Sequence, residues 1–115
     1  MKYLLMIYGN EGAEAAAPQA AMVQMMSAYM AYSQALVQAG VMVGGERLKP
    51  SAMATRVRVA ADKTEVLDGP YADSKEQLGG YYMIEVPDLD QALSWAARCP
   101  GAQYGVIEVR PVWPM

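Results

Sequence analysis

The sequence predicts an α+β fold of the ferredoxin-like βαββαβ type with one inserted β-hairpin. Two observations lead to this prediction: several short apolar segments have the character of β-strands, and two longer segments have the spacing of amphipathic helices. They occur in the order strand, helix, strand, hairpin, strand, helix, strand. Without the hairpin this is the split βαβ pattern, so we expect one antiparallel sheet with both helices on one of its faces.

Length and composition fit a single globular domain. The chain has 115 residues, of which 54% are apolar, and this is enough for one hydrophobic core. We therefore treat residues 1–115 as one domain. The net charge is −3 and no run of lysine or arginine occurs, which argues against a nucleic-acid or membrane-surface partner.

Missing residue types exclude several kinds of chemistry. The sequence contains no histidine and a single cysteine, Cys99. Sites that pair a serine or cysteine nucleophile with histidine are therefore excluded, and no metal or other cofactor is expected. The lone cysteine, together with an N-terminal apolar run that is too short for a membrane span and breaks at Gly9, favours a cytoplasmic protein.

The first strand is predicted over residues 2–8, and both of its faces are apolar. Alternate residues form the two faces, which are Leu4, Met6 and Tyr8 on one side and Tyr3, Leu5 and Ile7 on the other. A strand with two apolar faces must be covered on both sides. Helices can cover one face, and we expect a second copy of the chain to cover the other, giving a homodimer through the sheet face.

The first helix is predicted between Pro18, which suits a first helical turn, and Gly40, which suits a left-handed cap. Residues 9–17 are interpreted as a polar, alanine-rich connection. One stripe of the helix carries the residues that we expect to face the sheet: Met22, Met25, Met26, Tyr29, Ser33, Leu36 and Val37.

A second strand is predicted over residues 41–48, with a bulge or close backbone approach at Gly44-Gly45. Residues 55–59 alternate in the manner of a half-exposed strand, and residues 64–68 return as its hairpin partner. The register of this hairpin stays open, because Val66 and Leu67 are adjacent and either side chain can face inwards.

The C-terminal part is predicted to contain a strand over residues 81–86, a short helix and a last strand over residues 106–112. Asp88 suits the N-cap of the helix, which ends at Cys99. The predicted apolar stripe of this helix is Leu89, Ala92, Leu93 and Ala96. In the last strand Ile107 and Val109 point one way and Glu108 and Arg110 the other.

Charged side chains are concentrated on the connection between the hairpin and the next strand. A rigid corner at Asp68-Gly69-Pro70 is followed by a polar segment that contains Lys75 and Glu76. Binding residues are often found on such connections between rigid strands. The alternative interpretation is structural, with a tight turn at Asp68-Gly69-Pro70 and an ion pair that fixes the connection to the sheet.

Five segments of the chain carry a family resemblance: residues 1–9, 39–48, 68–82, 96–100 and 108–112, of which the strongest is Asp-Gly-Pro-Tyr-Ala-Asp-Ser-Lys-Glu-Gln-Leu-Gly-Gly-Tyr-Tyr at 68–82. Together they resemble the YCII-related family, in its DGPF-domain branch. The resemblance implies a dimeric α+β barrel, in which two ferredoxin-like sheets pack face to face with a cleft in each protomer. It also implies a connection to sigma-factor signalling.

Two departures from the family pattern affect what the resemblance implies. Tyr71 stands where the motif of the branch has phenylalanine. The wider family is discussed as enzymatic because of a His–Asp pair, and this chain has no histidine. That catalytic proposal therefore cannot be transferred to this sequence.

Two hypotheses of function remain. In the first, the protein is a non-catalytic small-molecule-binding or regulatory module for a small anionic metabolite, with a cleft lined by Tyr8, Glu46, Asp68, Tyr71, Lys75, Glu76 and Arg110. In the second, it is a cofactor-independent lyase or isomerase, in which Glu46 or Glu76 is the base and Lys75 or Arg110 holds an oxyanion. The absence of histidine, metal ligands and a phosphate loop favours the first.

Overall fold

The computed structural model describes residues 1–70 and 75–115 and confirms the predicted fold class. Strands β1, β2, β5 and β6 form one antiparallel sheet in the order β2-β5-β1-β6, and β3 and β4 form a separate hairpin. The elements are β1 (Lys2–Gly9), α1 (Glu11–Ala15), α2 (Gln19–Gln38), β2 (Met42–Arg47), β3 (Thr55–Ala60), β4 (Lys63–Asp68), β5 (Gln77–Glu85), α3 (Leu89–Arg98) and β6 (Val106–Pro111).

One face of the sheet packs under α2 and α3 and forms the core. Tyr3 and Leu5 of β1 lie opposite Ile84 and Tyr82 of β5, and all four side chains are buried. The helices and the turn after α3 contribute most of the other buried side chains, which are Tyr32, Leu36, Ala92, Ala96 and Cys99, and Val86 after β5 completes the cluster. The core is therefore a single layer between the sheet and the helices.

The opposite face of the sheet, here called the open face, carries the strand residues that alternate with those of the core. The strand pairings place on it Leu4, Met6 and Tyr8 of β1, Glu46 of β2, Tyr81 and Met83 of β5, and Val106, Glu108 and Arg110 of β6. Leu4, Met6, Tyr81 and Met83 are half-buried. The prediction that β1 is apolar on both faces is thus confirmed.

The glycine pair in β2 has the predicted role. The pairing of β2 with β5 shifts between Met42 and Gly44, which marks a bulge. A Cβ atom added at Gly45 would lie 2.8 Å from the carbonyl oxygen of Tyr81. The close approach of the two backbones therefore requires glycine at this position.

The predicted sheet-facing stripe of α2 is only partly correct. Leu36 of the predicted stripe is buried, whereas Met26 is 58% exposed and Val37 is 62% exposed, and Tyr32, which was not predicted to face the sheet, is buried. This helix is apolar over most of its circumference, so periodicity alone does not identify the face that packs on the sheet. The predicted left-handed cap is confirmed, with φ 73° at Gly40.

The stripe predicted for α3 is also displaced. Ala92 and Ala96 are buried as expected, but Leu93 is 47% exposed, and Leu89 is similarly exposed. Alanine lets the helix axis come close to the sheet, and the larger leucines then lie at the edge of the contact. The predicted N-cap is confirmed, because the Asp88 carboxylate accepts a 2.9 Å hydrogen bond from the Gln91 amide.

Helix α1 lies within the segment that was predicted to be a connection. The Asn10 side chain caps it by accepting a 2.9 Å hydrogen bond from the Ala13 amide. The Glu11 carboxylate accepts bonds from the amide and hydroxyl of Ser51 at 2.8 and 2.6 Å, which ties α1 to the turn before β3. An asparagine cap followed by alanines is a helix signal, and it could have been recognised in the sequence.

The β3–β4 hairpin has a defined register and is more exposed than predicted. Val57 pairs with Val66, and Arg56 pairs with Leu67. Val57 is 64% exposed, and Val59, Val66 and Leu67 are exposed to a similar degree. The hairpin leaves β4 through Gly69, whose φ of 96° requires glycine.

The burial of several tyrosine side chains, among them Tyr32, makes the free energy of unfolding depend on pH in the alkaline range. The Tyr32 hydroxyl donates a 2.6 Å hydrogen bond to the carbonyl oxygen of Trp95. Burial, with smaller contributions from Cys99 and Tyr82, raises the pKa of Tyr32 above its ordinary value. The stability that this neutral phenol supplies is present below about pH 10 and is lost as the pH rises through the folded-state pKa.

We therefore expect the free energy of unfolding to fall above about pH 10, with Tyr32 contributing about 1.4 kcal/mol per pH unit. The Tyr32→Phe variant should show a shallower fall in urea denaturation between about pH 8 and 11. Tyr104→Phe, which changes an exposed ring, is the control and should match the wild type. Identical slopes for Tyr32→Phe and wild type would contradict the prediction.

Candidate functional site

A cleft of about 520 Å³ opens at one end of the open face. It is lined by Tyr8 from the end of β1, Val106 and Glu108 from the start of β6, and Lys75 and Glu76 just before β5. Tyr8 pairs with Val106 across the sheet. The antiparallel register therefore brings residues that are about one hundred positions apart in the sequence into one cleft.

The carboxylate of Glu108 is the acceptor that organises this cleft. It accepts a 3.3 Å hydrogen bond from the Tyr8 hydroxyl through Oε2. Its Oε1 atom lies 3.4 Å from Nη2 of Arg110. Glu108 and Arg110 are two residues apart on one strand and therefore project from the same face.

Partial burial raises the pKa of Tyr8, and the negative charge and hydrogen bond of Glu108 raise it further. The positive charge of Arg110 opposes this effect. Tyr8 consequently stays a protonated phenol at neutral pH. It offers one hydroxyl group to the cleft, and the proton of that group is directed to Glu108.

Three of the seven predicted binding residues line this cleft: Tyr8, Lys75 and Glu76. Arg110 is joined to it through Glu108. Arg110 and Glu108 both lie on β6, so this ion pair is formed within one strand. Lys75 is exposed, so its ammonium group is available to an anion from solvent.

The structure does not bring the other predicted residues into this cleft. Glu46 is an exposed residue of β2 that pairs with Tyr81, and strands β5 and β1 separate it from Glu108. Asp68 is exposed at the end of β4, where it pairs with Thr55. Tyr71 lies outside the described residues.

Val106 and Glu108 were not predicted to line a cleft. The alternation of β6 did place Glu108 on one strand face with Arg110. It could not show that this is also the face of Tyr8, because that depends on the register between β1 and β6.

Within residues 1–70 and 75–115, no group of three acidic, cysteine or histidine side chains is placed to hold a metal ion. No helix there has the length and apolar character needed to cross a bilayer.

The cleft geometry predicts that Glu108 controls the ionisation of Tyr8. Glu108→Gln removes the negative charge and should lower the Tyr8 pKa relative to wild type. The measurement is an NMR titration of ¹³C-labelled tyrosine, with the Tyr8 signal assigned from a Tyr8→Phe variant. Glu85→Gln, at an exposed position of β5, is the matched control and should leave the Tyr8 pKa unchanged. An unchanged pKa in Glu108→Gln would contradict the proposed contact.

Comparison with solved structures finds the same fold in an enzyme. The chain is similar to 5-chloro-2-hydroxyhydroquinone dehydrochlorinase (TftG) from Burkholderia phenoliruptrix AC1100, solved as a complex with 2,5-dihydroxybenzoquinone. The TM-score is 0.52 at 16% sequence identity, and the match covers 98% of this chain and 94% of that one. At this identity the similarity supports the fold.

Sequence comparisons identify the family. A relative described as an uncharacterized protein of Rhizobium meliloti (strain 1021) is 35% identical over 114 residues, which is 97% of this chain and 92% of the relative. The family model of the YCII-related domain matches residues 1–115. The predicted family is therefore confirmed, while the DGPF branch stays a prediction. The chain belongs to the YCII-related family.

Proposed function

We propose that this protein is a small-molecule-binding module, with its site in the open-face cleft. The observation that carries the proposal is the grouping of Tyr8, Glu108 and Arg110 in one contact network, beside Lys75 and Glu76 at the same cleft. A volume of about 520 Å³ is suitable for a small organic compound.

The charges of the cleft suggest the ligand class. Lys75 and Arg110 offer positive charge to an anion, and Arg110 has further N–H donors besides the one that meets Glu108. The carboxylates of Glu76 and Glu108 repel a simple anion but accept hydrogen bonds from hydroxyl groups. Tyr8 and Val106 supply an apolar wall. These features together favour a small hydroxylated organic acid.

The structural neighbour adds support for the size and character of this ligand. That protein was solved with 2,5-dihydroxybenzoquinone, a hydroxylated six-membered ring compound. A hydroxylated aromatic acid of similar size would present a flat apolar ring to Tyr8 and polar groups to the charged side chains.

A second function is favoured by the activity of that neighbour, which is named as a dehydrochlorinase. Here Glu76 would be the base and Lys75 would hold the developing oxyanion, since both line the cleft. Glu46 is less suited to this role because it lies on β2, away from Lys75 and the cleft. Chemical conversion of a bound compound would favour this function over binding alone.

We also propose that a second copy covers the open face and completes the wall of the cleft. Leu4 lies opposite Met83 and Met6 opposite Tyr81, so the half-buried apolar side chains of β1 and β5 form one continuous patch. The protomer is only 18 Å thick, and its radius of gyration of 16.0 Å exceeds the roughly 13 Å expected for a compact chain of this length. A second sheet would cover this patch.

The proposal includes the regulatory connection that the family resemblance implies. In this case ligand binding at the edge of the dimer would be the signal, and a sigma-factor system would be the recipient. A regulatory role of this kind requires binding and release of the ligand but no chemical step.

The ligand proposal predicts a specific dependence on Lys75. With 2,5-dihydroxybenzoate as the probe, we expect saturable binding in calorimetry and an increase in the melting temperature. Lys75→Ala should weaken binding about tenfold or more, because a hydrogen bond to a charged group contributes about 1.5–3 kcal/mol.

Lys63→Ala, which removes an exposed lysine of the hairpin, is the matched control and should bind like the wild type. Equal affinities of Lys75→Ala and Lys63→Ala would exclude the cleft as the binding site. NMR spectra of the probe recorded during the titration show directly whether it is converted or only bound.

The dimer proposal predicts that a charge on the open face dissociates the two copies. Met83→Glu should sediment as a single protomer at micromolar concentration, since the substitution would bury a carboxylate in an apolar interface. Met30→Glu makes the same change at an exposed position of α2 and should sediment like the wild type. A wild-type protein that sediments as a single protomer would contradict the proposal.

A further inference from the structure

A second cavity of about 700 Å³ lies between α1, the first half of α2 and the turn after α3. The residues that matter for its chemistry are Met22, Met25, Tyr29, Arg98 and Gly101. It shares Tyr8 with the open-face cleft, and Ile7 and Gly9 of β1 also line it, whereas none of its helical residues lines that cleft.

Small side chains create this space. Ala21 and Ala28 of α2, together with Ala13 of α1 and Ala17 before α2, line the cavity. A helix normally fills the gap to its neighbour with long side chains. Here the alanine-rich sequence leaves the gap open, and the lining is predominantly apolar, with Met22 and Met25 as its flexible parts.

Tyr29 provides a hydrogen-bond donor beside the cavity. Its hydroxyl oxygen lies 3.9 Å from the Cys99 thiol, which donates to it, and it also interacts with the backbone amide of Gly101. Among residues 1–70 and 75–115, no oxygen or nitrogen atom accepts the proton of this hydroxyl. Burial is the main reason that the pKa of Tyr29 is raised, so the donor persists at all physiological pH values.

Gly101 allows the phenol to occupy this position. A Cβ atom at Gly101 would lie 2.5 Å from the Tyr29 hydroxyl oxygen and 3.1 Å from Cγ2 of Ile7. The glycine therefore leaves room for the Tyr29 hydroxyl in the cavity lining, where no oxygen or nitrogen atom of the described residues accepts its proton.

The charged residues of the lining do not select for an ion. Arg98 places its guanidinium 4.3 Å from the centroid of the Trp95 ring, and Glu14 contributes a carboxylate from α1. One cation and one anion line the same cavity. An uncharged ligand with a hydrogen-bond acceptor fits this combination better than a carboxylate or an amine.

We propose that this cavity is a second binding site, for a small uncharged aromatic ketone whose carbonyl oxygen accepts the Tyr29 hydroxyl proton. The ring system would pack against Met22 and Met25, where sulfur–aromatic contacts are favourable. The site lies outside the open-face cleft and does not depend on its proposed function.

Two probes of similar shape test the role of the carbonyl group. 1-Indanone carries the acceptor and indane lacks it. In NMR titrations of the ¹⁵N-labelled protein, 1-indanone should bind about fivefold more tightly than indane, the ratio that a neutral hydrogen bond of about 1 kcal/mol gives. In Tyr29→Phe this preference should disappear. Equal affinities in the wild type would overturn the proposal.

A second pair of variants tests the position of the site without changing Tyr29. Ala28→Leu fills the cavity from α2 and should abolish binding of both probes. Ala31→Leu makes the same change at an exposed position of α2 and should leave binding intact. Binding of 1-indanone that survives Ala28→Leu would overturn the proposal, as would failure of the wild type to bind it. Lys75→Ala should bind 1-indanone normally, which separates this result from that of the open-face cleft.

Discussion

The structure depends on the apolar character of β1 on both of its faces. Its odd-numbered residues form the base of the core under the helices, and its even-numbered residues form the centre of the open face. Because β1 lies between β5 and β6, it sets the register of both neighbours. The core, the proposed dimer contact and the cleft around Tyr8 therefore follow from one strand and its pairings.

The cleft shows how this arrangement assembles a polar network without histidine. Glu108 holds the Tyr8 phenol on one side and the Arg110 guanidinium on the other. A carboxylate that is shared in this way keeps both partners in place before a ligand arrives. Lys75 and Glu76 add one positive and one negative charge to the lining of the same cleft, and this mixture of charges is the basis of the proposal of a hydroxylated organic acid as the ligand.

The sequence was sufficient to predict the strand and helix order because each element carries its own local signal. Pro18, Gly40 and Asp88 mark helix ends through local backbone chemistry: Pro18 and Asp88 are the N-cap residues of α2 and α3, and Gly40 directly follows the C-cap of α2. The helix faces were harder to predict. In α2 apolar residues surround the helix, and in α3 the contact with the sheet selects alanine over the larger leucines.

The candidate site could be predicted only in part for a related reason. Lys75 and Glu76 were found because a charged connection between strands is visible in the sequence. Glu108 could not be assigned to the same cleft, since only the pairing of β1 with β6 brings it to Tyr8. The second cavity is formed by alanines, which give no binding signal in a sequence and indicate helix propensity instead.

The separate β3–β4 ribbon has a consequence for how this fold tolerates changes in length. Within the described residues its strands hydrogen-bond to each other, and neither is paired with a strand of the four-stranded sheet. Its tip, at Ala61 and Asp62, has the two positive φ values of a tight reversal. Residue pairs can therefore be added to or deleted from this ribbon without disturbing the packing of the core, which makes it the natural place for insertions and for grafted peptides.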